Sequence, residues 1–226
     1  MTLLIGKQCK DGVLFLADGI SISEKPGSPP IITTGAVKAL CSEKSGRSYC
    51  MVFGGLAGLD TTRPTFDWLR EAASKQDGSL QDNAERAAWE SLRDAVKNGF
   101  GKNDEQQRIE LMNHGSIVVF VSVRPDEWWE IDAFYDSSEK NRIRPGFVVI
   151  SLTGNSLGMQ ELQPLLNHED MTWREAVISC SRVFDKAAEL FPERCRYPGT
   201  LCVQTLDGCV RKTFNSVNEL MGVAER

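Results

Sequence analysis

Runs of apolar residues long enough to cross a membrane are missing from this sequence of 226 residues. The start of the chain also lacks the charged and then apolar segment of a secretory signal peptide, so we expect a cytoplasmic location. A basic surplus is missing too, because the formal net charge is −5, which argues against general affinity for nucleic acid or anionic membranes. With 41% hydrophobic and 25% charged residues, the composition is that of an ordinary globular protein. We expect one domain over residues 1–226.

The sequence is also poor in the patterns that build metal sites and histidine-dependent active sites. Its two histidines, His114 and His168, stand apart from potential metal ligands, and nothing supports a Ser-His-Asp arrangement. There are seven cysteines but no C-x-x-C pair. The odd number and the apolar surroundings predict reduced, buried thiols rather than disulfides. We therefore expect neither a metal nor another cofactor.

What the sequence does contain is a series of short strands and a few amphipathic helices. Two apolar stretches joined by a Lys-Asp-Gly turn predict a β-hairpin over residues 3–17. The clearest helix covers residues 171–190, where Thr172 and Glu175 have the spacing of a capping box. The other predicted elements are strands at 48–53, 116–123, 128–134, 147–152, 200–206 and 209–214 and helices at 60–74 and 84–98. Residues 99–114 are predicted to be a loop with a short helical turn, and residues 136–146 a loop. Elements grouped in this order predict a layered α+β fold with antiparallel sheets.

A threonine stands directly behind the initiator methionine, and this position allows an unusual kind of nucleophile. Methionine aminopeptidases remove Met1 when the next residue is small, which would give Thr2 an unblocked α-amine. Its hydroxyl would then attack a carbonyl carbon while its own amine accepts the proton. That chemistry calls for a nearby lysine, which keeps the amine neutral, and for an acid that holds the lysine. Asp18, at the end of the second strand, and Lys38 in "GAVKAL" are the candidates.

The glycine-rich stretch "FGGLAGLD" at residues 53–60 follows a predicted buried strand and precedes a predicted helix. Glycines let backbone N–H groups approach a ligand, and donors at a helix N-terminus suit a developing oxyanion. Tight strand-to-helix packing and a nucleotide site are two alternatives for this stretch that stay open. The nucleotide site is disfavoured because the spacing is not G-x-G-x-x-G and no β-α-β alternation follows.

Six stretches resemble, in the same order, the β-type subunits of the proteasome and their bacterial relative HslV. These proteins belong to the N-terminal nucleophile (Ntn) hydrolase superfamily. The six stretches are "TLLIGKQCKDGVLFLADG", "VKAL", "YCMVFGGLAG", "VISLTGNS", "MTWREAVISCSRVFDKAAE" and "GTLCVQTLDG". They span nearly the whole chain, and the first, with its Thr start, "KDGV" and following Asp, is the most specific. The resemblance implies a four-layer αββα sandwich with two antiparallel sheets inside, and homo-oligomeric rings that enclose a proteolytic chamber.

The resemblance also implies roles for the residues nearest the reaction. Thr2 would be the nucleophile, and Asp18 and Lys38 would tune it. The backbone N–H of Gly55 would serve the oxyanion hole. These four residues together would form the catalytic core of a threonine peptidase.

A second group of residues is implied at the edges of the same site. Asn155 and Ser156, after the "TG" at 153–154, would hydrogen-bond near the α-amine. Ser21 and Ile22 would lie on the strand that pairs with the substrate backbone. Phe53 would sit at the base of the pocket for the residue before the cut, and its large ring suggests a shallow pocket.

The function that these residues predict is cleavage of unfolded proteins and peptides inside a self-compartmentalised ring, with an AAA+ ATPase unfoldase as the implied partner. Two alternatives stay open. One is a catalytically silent ring or scaffold subunit that retains Met1, favoured by Glu193, Arg194 and Tyr197 in "PERCRYPGT", where the family usually has an Asp and then a Ser. The second alternative is an amidase of the same superfamily that acts on a small molecule.

Overall fold

Twelve strands, five α-helices and the helical residues 160–162 occupy the part of the chain that the structure describes. The computed structural model describes residues 2–23, 31–42, 48–55, 63–75, 77–100, 105–144, 148–152, 160–192 and 195–225. The strands are β1 Leu3–Cys9, β2 Gly12–Asp18, β3 Ile20–Ser23, β4 Ile31–Thr34, β5 Ala39–Ser42, β6 Tyr49–Gly55, β7 Ser116–Arg124, β8 Glu127–Phe134, β9 Ser138–Ile143, β10 Val148–Leu152, β11 Gly199–Thr205 and β12 Gly208–Phe214. The helices are α1 Thr65–Ser74, α2 Leu80–Asp94, α3 Glu105–His114, α4 Trp173–Leu190 and α5 Val217–Ala224, with a π-helical turn at Ala95–Phe100 and a 3₁₀ turn at Gln163–Leu165. None of the described helices combines the length and the apolar character that a membrane span requires.

The strands form two five-stranded sheets and one small two-stranded sheet. The first sheet has the order β10-β1-β2-β11-β12, and the second has the order β5-β6-β7-β8-β9. The two-stranded sheet consists of β3 and β4. All of these strand pairs are antiparallel, as predicted.

Helices cover the outer faces of the two large sheets, and the inner faces pack against each other. On the first sheet, Leu3 and Ile5 of β1 belong to one core with residues of α4 and α5. On the second sheet, residues of α1 and α2 bury the outer face in the same way. Between the sheets, the rings of Phe15, Phe120 and Trp128 meet at centroid distances of 5.2–6.0 Å. The chain therefore has the four-layer αββα architecture that the resemblance implied.

The β1–β2 hairpin lies at the centre of this sandwich. Every residue of both strands is buried, because helices cover one face and the second sheet covers the other. This explains why the sequence of β2 is a continuous apolar run rather than an alternation. The Lys10–Asp11 turn connects the strands, with Cys9 opposite Gly12. The start of β1 and the end of β2 consequently lie side by side.

Helix α4 forms where the sequence predicts it. The Thr172 hydroxyl accepts a hydrogen bond from the Glu175 amide, and the Glu175 carboxylate accepts one from the Thr172 amide, which confirms the capping box. The helix buries one stripe of its surface, made of Ala176, Val177, Cys180, Ser181, Val183, Phe184 and Ala187.

The main differences from the sequence prediction concern three helices and one strand. Residues 99–114 are not simply a loop, because α3 covers Glu105–His114; this helix buries none of its residues, so its sequence carries no apolar stripe. Residues 136–146 contain β9, an edge strand with a polar sequence that resembles a loop. Helix α1 begins at Thr65, after Pro64, and not at Asp60; residues 60–62 lie outside the described residues. Helix α5, which begins after the Ser216 cap, was not predicted.

Candidate active site

Thr2, Asp18 and Lys38 meet at one end of the sandwich. The ammonium nitrogen of Lys38 donates one hydrogen bond to Thr2 Oγ1 at 2.9 Å and another to Asp18 Oδ1 at 2.7 Å. The exposed fractions of the three residues are 4%, 1% and 6%, respectively. The three residues that the sequence singled out for nucleophilic chemistry are thus one buried, hydrogen-bonded chain of polar groups.

The strands explain why these residues meet. Thr2 directly precedes β1, and Asp18 ends β2, the antiparallel neighbour of β1. Lys38 directly precedes β5, and its carbonyl oxygen accepts a hydrogen bond from the Phe53 amide at 3.0 Å, which ties it to β6. The site therefore joins the first sheet to the second.

Burial governs the electrostatics of the acid. Loss of hydration raises the pKa of Asp18 to about 6. The Lys38 ammonium and the Leu3 backbone amide oppose this change, because both interact with the ionised carboxylate and lower its pKa. Asp18 Oδ2 has no hydrogen-bond partner among the described residues, so Lys38 provides the main compensation for a buried charge.

Gly54 and Gly55 shape the wall opposite Thr2. A Cβ atom on Gly54 would lie 2.7 Å from both Cβ and Cγ2 of Thr2, so only glycine allows this approach. Gly55 has a φ of 104°, and a Cβ there would lie 2.1 Å from the Ser116 carbonyl oxygen. Gly55 is the predicted residue of this pair, whereas the contact of Gly54 was not predicted; the Gly-Gly pair at the end of a buried strand is the sequence feature that indicates it.

The strand predicted to receive substrate is present. Ser21 and Ile22 lie on β3, opposite Thr33 and Ile32 of β4. Within the described residues, β3 pairs only with β4. In this part of the chain no strand occupies the second edge of β3.

Phe53 lies next to the site but on the other face of β6. Its ring is 4% exposed and belongs to the core beneath the second sheet, with the Phe66 ring centroid 6.4 Å away. Adjacent residues of a strand point to opposite faces, so Phe53 shares its face of β6 with Gly55 and not with Gly54.

The accessory part of the predicted site is only partly visible. Asn155 and Ser156, as well as Glu193 and Arg194, lie outside the described residues. Tyr197 is described, and its ring packs against Phe184 and Phe214 with centroid distances of 5.2 Å and 5.9 Å. Its hydroxyl group donates to Asp185 Oδ1 at 3.4 Å. Tyr197 thus belongs to the core around α4.

One neighbour of the polar chain was not anticipated. Cys195 is fully buried, and its amide donates to the Phe191 carbonyl oxygen at 2.8 Å. Burial raises the pKa of its thiol, and the nearby Asp18 carboxylate raises it further. A neutral thiol therefore stands close to the Asp18–Lys38 pair. Nothing in the sequence distinguishes this cysteine from the other buried ones.

The prediction that all cysteines are reduced is wrong for two of them. Cys41 of β5 and Cys209 of β12 form a disulfide, although 168 residues separate them in sequence. The pairing depends on the contact between two sheet edges, which the sequence does not reveal. Cys50 of β6 lies beside them, and the three sulfur atoms lie within 4.8 Å of one another. The other cysteines, Cys9, Cys180, Cys195 and Cys202, remain buried thiols.

Two antiparallel five-stranded sheets between helical layers form an αββα sandwich, which is a proteasome-like fold. No protein-family model and no curated protein matches the sequence. Solved structures of Anbu do match. A Gly-1 mutant of Anbu from Hyphomicrobium sp. strain MC1 has a TM-score of 0.62 and 14% identity, over 100% of this chain and 94% of that one.

Two further Anbu structures agree with this result. Anbu from Yersinia bercovieri, described as an ancestral β-subunit, has a TM-score of 0.62 and 11% identity, over 99% of this chain and 92% of that one. The helical assembly of the Anbu complex from Pseudomonas aeruginosa has a TM-score of 0.62 and 13% identity, over 99% of this chain and 91% of that one. At these identities the similarity establishes the fold alone, and that fold is proteasome-like.

Proposed function

We propose that this chain is a threonine peptidase subunit of an oligomeric, proteasome-like assembly, with Thr2 as nucleophile after removal of Met1. The observation that carries the proposal is the position of Lys38 Nζ, which contacts Thr2 Oγ1 at 2.9 Å and Asp18 Oδ1 at 2.7 Å. A buried lysine with only a structural role needs hydrogen-bond acceptors, but the hydroxyl group of Thr2 need not be one of them. A buried cation at that hydroxyl suits a nucleophile that must lose a proton.

In the proposed first step, the α-amine of Thr2 accepts the hydroxyl proton while Oγ1 attacks the peptide carbonyl carbon. The Lys38 charge keeps the amine neutral by lowering its pKa, and its hydrogen bond orients Oγ1. Asp18 fixes the lysine in its position and offsets its charge. The C–N bond then breaks, the leaving amine takes the proton from the α-ammonium group, and an ester on Thr2 remains. Water, activated by the same amine, hydrolyses this ester and regenerates Thr2.

The Gly55 amide is proposed to stabilise the oxyanion of the intermediate. Support comes from the end of β6, where Gly54 packs against Thr2 and Gly55 follows with a positive φ. The substrate backbone would add to β3 at Ser21 and Ile22, whose strand has an edge available among the described residues. Phe53 at the base of the specificity pocket remains a prediction, as do Asn155 and Ser156 beside the amine.

Assembly is the second part of the proposal. The Anbu complex from Pseudomonas aeruginosa is a helical assembly, and this similarity supports oligomerisation of the present chain. A closed homo-oligomeric ring, protein substrates and an AAA+ unfoldase remain predictions. A chamber built by several copies would restrict substrates to unfolded chains, which is the physical reason for expecting an unfoldase.

A catalytically silent assembly subunit that retains Met1 is the second candidate. The observation in its favour is the position of Tyr197, whose ring packs in a core where the family usually has polar accessory residues. In this case Lys38 and Asp18 would only stabilise the corner between the sheets. A small-molecule amidase is the third candidate, and no described contact favours it.

The decisive experiment begins with the intact mass of the purified protein, which reports whether Met1 is removed. Hydrolysis of fluorogenic peptides is then compared among the wild type, Thr2→Ala, Thr2→Ser and Thr213→Ala. Thr213 is an exposed threonine on β12 and provides the matched control. We expect loss of activity in Thr2→Ala by at least about 10³-fold, partial activity in Thr2→Ser and no change in Thr213→Ala.

Two outcomes would reject the peptidase. Equal turnover by the wild type and Thr2→Ala would exclude Thr2 as nucleophile. If the protein homogeneously retains Met1 and cleaves no peptide, the catalytically silent subunit is the candidate that remains. Gel filtration tests assembly separately, because a monomer at micromolar concentration would contradict both oligomeric candidates.

A further inference from the structure

Three cysteines from three strands meet at the edge where the two large sheets approach each other. Cys41 lies on β5 and is paired directly opposite Cys50 on β6. Cys209 lies on β12, the edge strand of the other large sheet. The three sulfur atoms lie within 4.8 Å of one another, and Cys50 Sγ is 3.4 Å from Cys41 Sγ. This convergence of thiols is separate from the Thr2 site.

We propose that these residues form a binding site for one thiophilic metal cation, such as Zn²⁺ or Cu⁺, when the Cys41–Cys209 disulfide is reduced. An ion held by three thiolates at about 2.3 Å separates the sulfur atoms by about 4 Å. The observed separations of up to 4.8 Å therefore require only small side-chain movements. Thiolate ligands select soft cations of this kind over Mg²⁺ or Ca²⁺.

The chemical steps balance with a dithiol as the reductant. The dithiol supplies two electrons and two protons, its own sulfurs become a disulfide, and the bond between Cys41 and Cys209 is replaced by two thiols. Metal binding then displaces one proton from each coordinating sulfur to the solvent. Oxidation by a small-molecule disulfide reverses the first step and excludes the metal. The site thus exists only in the reduced protein.

The surroundings favour thiolates at this edge. Arg211 lies two residues after Cys209, and its Nη1 donates to the Ala39 carbonyl oxygen at 3.3 Å, two residues before Cys41. A guanidinium group held between β12 and β5 by this hydrogen bond would offset part of the negative charge of a metal bound by three thiolates. Cys41 and Cys209 are half-buried, while Cys50 is fully buried, so a cation can enter from solvent and keep water as a further ligand.

The other buried cysteines lack these advantages. Burial raises the pKa of the Cys180 thiol to about 12, and burial also raises the pKa of Cys9. Protonated thiols are poor metal ligands. Cys180 therefore provides a matched control, because it is a buried cysteine outside the three-thiol site.

The test uses the full chain, reduced with a phosphine and kept free of oxygen, with Cd²⁺ as the optical probe. The ultraviolet thiolate-to-metal band reports the number of bound thiolates, and competition with a chelator gives the affinities for Cd²⁺ and Zn²⁺. We expect one equivalent bound by three thiolates in the wild type. Cys50→Ser should weaken metal binding at least about tenfold and lower the intensity of the band to that of two bound thiolates. Cys180→Ser should match the wild type in both respects.

Several results would overturn the proposal. One is a reduced wild type that keeps its circular dichroism spectrum but binds no equivalent of Cd²⁺. Another is a Cys50→Ser variant with unchanged affinity and band intensity. If reduction alone unfolds the chain, recovery of the native spectrum with one equivalent of Zn²⁺ supports the site, and failure to recover refutes it. Equal Cd²⁺ binding before and after reduction also refutes it, because the oxidised protein has too few thiols at this edge.

Discussion

Two of the lysines that the structure describes are buried, and their partners differ. Lys7 lies on β1 with an exposed fraction of 0%, and its Nζ donates to the backbone carbonyl oxygens of Asn167 and Glu169 at 2.7 Å and 3.0 Å. Lys38 is 6% exposed, and its Nζ donates to a hydroxyl group and to a carboxylate. Among the described residues, no carboxylate accepts a hydrogen bond from Lys7.

This difference separates a structural lysine from a candidate catalytic one. Lys7 uses its charge to hold the chain segment between the 3₁₀ turn and α4 against the first sheet. Backbone carbonyls do not react, so this contact can contribute only stability. Lys38 instead connects a potential nucleophile to an ionisable group, and changes in its charge act on both. Burial of a lysine is therefore not a sign of function by itself, and the chemistry of its partners decides.

The largest effect is expected for Lys38→Met. Removal of the cation should reduce peptidase activity by at least about 10³-fold, because Oγ1 and the α-amine lose their electrostatic support. It also leaves Asp18 buried without its counter-charge, which should lower the free energy of unfolding by about 3–5 kcal/mol. Peptide turnover and urea denaturation measure the two effects. The double variant Lys38→Met/Asp18→Leu should regain stability but not activity; regained activity would show that the lysine has only a structural role.

A steric change should affect the Lys38 site while its charges stay intact. Gly54→Ala places a methyl group 2.7 Å from Cβ and Cγ2 of Thr2, so the threonine must move away from Lys38. We expect a loss of activity of about 10²-fold, since small displacements of reacting groups have effects of this size. Gly222→Ala on α5 is the control, because its new Cβ meets no atom within 4 Å. Equal activity in both variants would show that the contact with Thr2 is not required.

The Asp18 carboxylate, which has no counterpart beside Lys7 among the described residues, should make the free energy of unfolding depend on pH. Burial raises the pKa of Asp18 from 3.8 to about 6, so between these values the folded protein holds a proton that the unfolded chain has released. The contribution of Asp18 to the free energy of unfolding therefore falls as the pH rises from about 4 to about 6, by ~3 kcal/mol in total. Urea denaturation of the wild type and Asp18→Asn across this range should show the difference. Parallel pH dependences would contradict it.

The smallest effect is expected for Lys7→Met. The substitution leaves two carbonyl groups without their donor, but water can reach the half-buried Asn167 and the exposed Glu169. We expect the free energy of unfolding to fall by about 1–2 kcal/mol, with kcat/KM unchanged. Thermal unfolding and the peptide assay measure both quantities. A large loss of activity at unchanged stability would remove the distinction between the two lysines.

Much of the fold could be predicted because local pattern and global packing agree. The β1–β2 hairpin, the β7–β8 and β11–β12 hairpins and α4 all carry strong local signals, and each forms within a few residues of its predicted bounds. Helix α3 and strand β9 were missed because they lie at the surface and bury little, so their sequences resemble loops. The periodicity of apolar residues therefore indicates burial more directly than it indicates secondary structure.

Only some of the residues of the candidate site could be predicted from the sequence. Thr2, Asp18 and Lys38 follow from the chemistry of an N-terminal nucleophile and from a family resemblance, and the described structure brings them together. Gly54 and Cys195 were missed, because their importance depends on a steric contact and on a neighbouring strand. The Cys41–Cys209 disulfide was missed for the same reason: a pair 168 residues apart becomes visible only in three dimensions.

The four residues at the centre of the site come from the ends of four strands or their immediate neighbours. Thr2 and Asp18 belong to one sheet, and Lys38 and Gly54 belong to the other. The hydroxyl, the cation and the acid therefore come together only after the two halves of the sandwich have closed. If Thr2 acts as proposed, a nascent or partly unfolded copy has no active site, and neighbouring chains are protected during synthesis without a separate inhibitor.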